Sequence, residues 1–245
     1  MSLFVITLTA LLAVLFGVAG LLFGSGRETA GARLLWLSWA GALLLLAANA
    51  ALAAAPPFGN MRHVLCFFPL PLVPAWHYLR RVQGVALGSY FAWAAAVALL
   101  GALRMPLQAD WRQMPALQSP WFVPHVTAYV IAYGMLTVSA LLALRGKEAQ
   151  LAAAGAVAQV AFPFLTFGLW SGALWADAAW GRYWAWDIKE VWALITWGIY
   201  LFYFHVARHK PEWRRFLLLL AYIALLITFL AVNLLPKITS LHSYS

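Results

Sequence analysis

Eight apolar runs, near residues 3–23, 34–55, 64–79, 85–103, 122–144, 151–169, 190–207 and 216–235, fill most of this 245-residue chain. Each approaches the roughly 20 apolar residues a helix needs to cross the hydrocarbon layer of a bilayer. No water reaches that layer to satisfy a backbone N–H or C=O, so a spanning segment must close its hydrogen bonds internally. With 65% of residues hydrophobic and only 9% charged, a soluble domain of this size could not hide its apolar surface. The expected fold is therefore all-α: a polytopic membrane protein, one integral membrane domain over 1–245, built as a bundle of about eight transmembrane helices. The third run is the weakest, because Pro69, Pro71 and Pro74 break a helical ladder unless neighbouring helices satisfy the freed carbonyls.

The basic residues orient the bundle. With eight spans and both termini outside, the inner loops hold Arg27, Arg33, Arg80, Arg81, Arg145, Lys147, Arg208, Lys210, Arg214 and Arg215, ten of the sixteen. The outer segments hold Arg62, Arg104, Arg112, Arg182, Lys189 and Lys237. Short inner loops rich in Lys and Arg are the usual cytoplasmic signature. The net charge of +9 thus marks membrane orientation, and nucleic acid is not an expected partner. The first run has no basic residue before it and Arg27 just after it, so it reads as a retained helix with its N-terminus outside.

This topology puts a dense aromatic segment outside, at about 170–192 between the sixth and seventh spans. Seven tryptophans fall in the 28 residues from Trp170 to Trp197, with Gly172 and Gly181 interleaved. An aromatic belt at the bilayer surface accounts for a Trp or Tyr pair near a helix end, but not for this density. Trp180, Tyr183, Trp184 and Trp186 offer rigid π-faces, while Arg182, Asp187, Lys189 and Glu190 can orient charged substituents. A porphyrin fits such a surface. His125 lies at the outer mouth of the fifth span and His242 just beyond the outer end of the eighth. Either histidine alone fits an ordinary interfacial residue, whereas two neutral imidazoles beside the aromatic block could clamp a haem iron from both sides.

The run Trp180-Gly-x-x-Trp184-x-Trp186-Asp187-x-Lys189-Glu190-x-Trp192-Ala-Leu-Ile-Thr-Trp197, continuing to Tyr203-x-His205-x-x-Arg208, resembles the signature of cytochrome c assembly proteins of the CcsA/ResC type. CcmC and CcmF carry looser versions of it. The stretch from Pro115 to Tyr129 around His125 is similar to the family's segment at its first external histidine. The resemblance covers roughly 113–245; earlier it rests on Pro57-Phe-Gly-Asn60 and Phe67-Phe68.

This resemblance implies that His125 and His242 ligate the iron of haem b at an outer site. Trp180, Trp184, Trp186 and Asp187 then form the core of the haem-holding motif, and His205 is the intramembrane histidine of an inner site. It implies a subunit of a cytochrome c synthase in a bacterial cytoplasmic membrane, multi-pass, which presents haem for thioether attachment to Cys-x-x-Cys-His apocytochrome c. The partners are a CcsB/ResB-type membrane protein and an external thiol reductant system. The residues themselves leave two alternatives open: a delivery or export module without lyase activity, and a non-haem transporter. A coupled transporter usually needs midplane carboxylates, whereas all seven acidic residues can be placed in loops or at span ends.

The other candidates carry less. His77 precedes Arg80 and Arg81 and reads as a snorkelling residue at a helix end rather than a partner for His205. His63 and His209 fall in loops and read as solvated. Cys66 is the single cysteine, so this sequence has no Cys pair with which to reduce an apocytochrome. The Ala-rich run at 149–158 reads as helix packing through small residues.

Overall fold

A computed structural model describes residues 2–53, 60–84, 86–107, 118–145, 147–207 and 209–231. All regular structure among them is helical, in two compact units, Met1–Gln118 and Ser119–Ser245.

The first unit holds α1 (Ser2–Gly24), α2 (Glu28–Ala53), α3 (Met61–Phe67), α4 (Pro69–Gln83) and α5 (Gly88–Arg104). α1 packs against α2 and α5, burying Val5, Leu12 and Phe16 with Phe91 and Leu99. The proline-rich third run is helical in two pieces. α3 ends at Phe67, and Pro69 restarts the helix at its first position, where a missing N–H leaves nothing unmet. Pro74 sits inside α4 and cannot donate to the carbonyl of Leu70. The indole Nε1 of Trp39 donates to that oxygen at 2.9 Å, so a neighbouring helix satisfies the freed group as required.

Two residues assigned to loops are core residues of this unit. His63 is only 3% exposed, in the first turn of α3, and its backbone N–H donates to the Asn60 cap at 2.9 Å. Arg62 is equally buried, and its guanidinium donates to Ala102 O at 2.7 Å and Met105 O at 3.3 Å. It closes the C-terminal end of α5, where a cation also meets the negative end of the helix dipole. The loop assignment failed because the helix begins at Met61, three residues before the apolar run does. His77 packs edge-on against Trp36 and Trp76, at 5.7 and 6.2 Å, as a member of an aromatic cluster.

The second unit holds α6 (Phe122–Arg145), α7 (Glu148–Trp180), α8 (Ile188–Val206) and α9 (Arg214–Leu226), the last preceded by a short 3-10 turn and followed by a π turn over Ile227–Ala231. α7 lies along α6 through Ala153, Ala154, Val157, Ala158 and Ala161, all buried, and Ser139 Oγ donates to Ala154 O at 2.8 Å. The small side chains let the two backbones approach. Tyr222 OH donates to Thr137 Oγ1 at 3.2 Å and ties α9 to α6. At the other end of α9, Arg214 donates to Ala207 O and pairs with Glu148 at 3.2 Å.

Each of the eight apolar runs is helical over most of its described residues, and the chain is an all-α, multi-pass membrane protein. Five helices among the described residues are both long and apolar enough to cross a bilayer: Ser2–Gly24, Glu28–Leu52, Phe122–Leu144, Glu148–Trp180 and Pro211–Leu230. α5 is apolar but has 17 residues. The run expected to end at 169 continues as α7 to Trp180. Its 33 residues span about 50 Å at 1.5 Å per residue, against a hydrocarbon layer of about 30 Å. A helix satisfies its own backbone, so it can outrun the apolar stretch into the polar interface. Trp170, Trp175 and Trp180 therefore ride on a helix, and the loop proper is only 181–187.

Candidate functional site

His125 sits in the first turn of α6, where its backbone N–H donates to Trp121 O at 3.0 Å. Its ring lies against α7. Nδ1 is 2.8 Å from the carbonyl oxygen of Gly168, which can only accept, so the proton is on Nδ1 and the lone pair on Nε2. The imidazole stacks on Trp175 with centroids 5.4 Å apart and planes 19° apart, and Tyr129 meets it edge-on at 4.9 Å. Trp175 in turn meets Trp180 at 4.8 Å. His125 is thus connected through one ring to the start of the tryptophan block. Gly172 makes this possible, since a Cβ there would lie 2.6 Å from His125 Cε1 and 2.7 Å from Nδ1.

The loop that follows is held by its own carboxylates. Gly181 ends α7 at φ 72° with its N–H on Asp177 O at 2.8 Å, a left-handed cap that glycine adopts without steric cost. Asp187 then caps α8, accepting from Lys189 N at 3.3 Å, and Glu190 completes a capping box. The Glu190 carboxylate is 8% exposed and accepts from both Ala185 N (2.8 Å) and Asp187 N (3.2 Å). Between those two amides sits Trp186, at φ 58° and 71% exposed. A left-handed conformation is unfavourable for a bulky residue, so the Glu190 clamp holds the indole outward against local preference. Tyr183 is also exposed. Trp184 meets Trp186 edge-on at 5.9 Å, and its buried Nε1–H has no acceptor among the described residues.

Lys189 precedes the seventh apolar run. Burial pushes its ammonium down to about 8, against the opposing pull of the Asp187 carboxylate.

His205 lies in the last turn of α8, at a distinct place in this unit. Nδ1 is 2.8 Å from Leu201 O, which again puts the lone pair on Nε2. A cavity of about 510 Å³ opens beside it, lined by Gln159, Phe162, Pro163, Phe204, His205 and His209. Pro163 contributes no N–H to the Gln159 carbonyl one turn earlier, and the lining mixes the polar side chains of Gln159, His205 and His209 with Phe162, Pro163 and Phe204. His209 lies exposed in the turn after α8, as its reading as a solvated loop residue expects, and its side chain borders the cavity.

Of the expected site residues, His125 and Trp180 are brought together through Trp175, while Tyr183, Trp184, Trp186 and Asp187 form the adjoining loop. His242 and Arg208 lie outside the described residues. Gly168 and Trp175 were not singled out in the sequence, and Glu190, read there as a residue that orients charged substituents, instead completes the cap of α8 and clamps the loop. The Asp187-x-x-Glu190 spacing is a capping-box signal and Gly168-x-x-x-Gly172 is a close-approach signal, so the Glu190 role and the Gly168 contact were both detectable.

The family described as Cytochrome C assembly protein matches residues 3–240. The chain is similar to the cytochrome c biogenesis protein CcsA of Chlamydomonas reinhardtii, 35% identical over 151 residues, or 54% of this chain and 42% of that protein. It is 49% identical to the CcsA of Heterosigma akashiwo (strain NIES-293 / 8280G21-1) over 89 residues, 35% of this chain and 27% of that one. Against the CcsA of Synechococcus sp. (strain CC9902) the identity is 30% over 248 residues, 77% of each chain. The match thus spans less than half the length of the first two relatives.

Proposed function

This chain belongs to the cytochrome C assembly protein family, and from that premise we propose that it is the CcsA-type haem-handling subunit of a cytochrome c synthase. In this reading it holds haem b at the outer face of a bacterial cytoplasmic membrane and presents it to apocytochrome c. The observation that carries the reading is the setting of His125, tied through Nδ1 to Gly168 O, with its lone pair on Nε2 and its ring joined through Trp175 to Trp180. An imidazole whose second nitrogen donates to a carbonyl is fixed in tautomer and is a stronger iron ligand. His242 would supply the second imidazole nitrogen to the iron. Trp180, Tyr183, Trp184 and Trp186 supply stacking area, and Arg182 and Lys189 face the propionates. Asp187, occupied in capping α8, shapes the loop.

The cavity beside His205 supports an inner station for the same cargo. Its volume of about 510 Å³ falls within the usual range for small-molecule pockets of roughly 300–1,000 Å³, and Phe162, Pro163 and Phe204 supply apolar contact beside the polar Gln159, His205 and His209. A CcsB/ResB-type partner supplies the opposite ligand there.

Attachment adds each cysteine S–H of a Cys-x-x-Cys-His segment across a vinyl C=C of the haem, forming one C–S and one C–H bond with no net loss of electrons. The requirements are a thiolate and a vinyl carbon held close to it. This chain's residues hold and orient; none is assigned a proton transfer. Cys66 is buried in α3, so the thiols are kept reduced by an external system. Coupled transport finds no support, since the described acidic residues Glu28, Glu148, Asp177, Asp187, Glu190 and Glu212 all lie at helix ends or between helices.

The test is the absorption spectrum of the purified full chain, alone and co-expressed with its partner. A bis-imidazole haem spectrum is expected, weakened by His125→Gly or His242→Gly and restored by added imidazole. Unchanged spectra in both variants remove the assignment.

A further inference from the structure

We propose that Gly172 is a positioning residue for the iron-binding imidazole, one that sets both the tautomer and the direction of the His125 lone pair. The inference rests on the reading of His125 as an iron ligand. Three contacts fix the ring from one side: the Gly168 carbonyl at 2.8 Å from Nδ1, the near-parallel face of Trp175 at 5.4 Å, and the bare Cα of Gly172. They sit on one stretch of α7, with Gly168 and Gly172 four apart and Trp175 three further on. All three therefore project toward α6 on successive turns.

Gly172 decides whether the other two contacts can exist. A methyl group there would lie 2.6 Å from Cε1 and 2.7 Å from Nδ1, closer than Cβ atoms approach their neighbours. Both clashing atoms belong to the half of the ring that faces Gly168. The imidazole must then swing away from α7, lose the hydrogen bond to Gly168 O and leave the Trp175 face. Nδ1–H would no longer be specified, and the tautomer that puts the lone pair on Nε2 would lose its preference. The same hydrogen bond strengthens Nε2 as a donor to iron, and a stronger donor favours ferric over ferrous haem. Gly172 thus sets the reduction potential of the outer haem as well as its retention.

The test compares Gly172→Ala, His125→Gly, their double variant and Gly198→Ala in the full chain, purified with haem. Gly198 has open space where a methyl would go, so Gly198→Ala controls for adding a methyl to a helical glycine and should match the parent. Gly172→Ala is expected to lose haem and the bis-imidazole bands, to recover them with added imidazole, and to raise the midpoint potential of the haem that remains. The double variant should equal His125→Gly alone, because both changes act through one nitrogen. Trp175→Leu removes the stacked face while leaving Gly172 open and should give a milder form of the same signature, which keeps the test available if Gly172→Ala does not accumulate.

Parent-like spectra and potential in Gly172→Ala, beside a damaged His125→Gly, would overturn the proposal. So would a loss that adds to that of His125→Gly and ignores imidazole, since the glycine would then serve helix packing only. If His125→Gly itself leaves the spectrum intact, the ligand assignment fails first, and the two failures are told apart by that single variant.

Discussion

At Trp186 a large apolar side chain is both strained and exposed. The left-handed backbone at φ 58° costs a non-glycine residue about 1–2 kcal/mol, and an indole left 71% exposed recovers little of that by burial. Trp186→Gly should therefore leave the thermal midpoint of the haem-free protein unchanged or slightly raised, because relief of strain offsets the lost edge contact with Trp184. Haem retention should fall. A large loss of thermal stability would mean that the indole supports the fold rather than the ligand. Lys189 makes a pH-dependent counterpart. Its ammonium, pushed down to about 8 by burial, is charged below that pH and neutral above it, so its attraction for a propionate is present at pH 7 and lost by pH 9. Retention of haem measured across that window should decline with rising pH, and Lys189→Gln should flatten the decline.

The start of α8 shows how an element can serve a site without touching a ligand. Asp187 and Glu190 close the capping box and hold the amides on either side of Trp186. Asp187→Ala should cost about 0.5–2 kcal/mol, as other N-cap losses do. Glu190→Ala should cost more, since it strips two amides of their acceptor at a buried position, each leaving a penalty of about 1–3 kcal/mol. Amide hydrogen exchange at Ala185 and Asp187 is the direct measurement. Faster exchange in Glu190→Ala with unchanged protection deeper in α8 locates the effect at the loop. The same element was only partly legible in the sequence. Its apolar run announced a helix and the Asp-x-x-Glu spacing its cap, but the tryptophans read as one continuous loop. They are in fact divided between the end of α7, a seven-residue connection and the first turns of α8, because aromatic residues are compatible with helix and hydropathy does not report where hydrogen bonding stops.

For the molecule as a whole, the ten-to-six division of basic residues predicts that the tryptophan block and the 3-10 turn before α9 lie on opposite sides of the membrane. Arg182 and Glu212 are both exposed and make suitable reporters. In a Cys66→Ala background, a cysteine at 182 should react with an impermeant maleimide applied from outside, and one at 212 only after permeabilisation. The reverse pattern would place the His125 site on the cytoplasmic side and end the proposal that it loads exported apocytochromes. Arg62, counted among the outer charges, is buried on the end of α5 and contributes to helix capping rather than to a loop, which sharpens the bias.

The sequence by itself determined the class and the helices. Over most of their described residues the eight apolar runs are helices, because a backbone in hydrocarbon has no other way to satisfy itself, and that is a local requirement each run meets alone. The sequence also placed His125 and the tryptophan motif within one half of the chain. Only the tertiary structure decided that His125 turns its Nδ1 to Gly168, stacks on Trp175 and fits over Gly172, that Trp39 repairs the carbonyl freed by Pro74, and that His63 and Arg62 are interior. Each of these is a contact between helices, decided by which faces meet and at what height. Hydropathy states only that a face must be covered, and many pairings satisfy it equally; shape and hydrogen bonding between particular side chains select one.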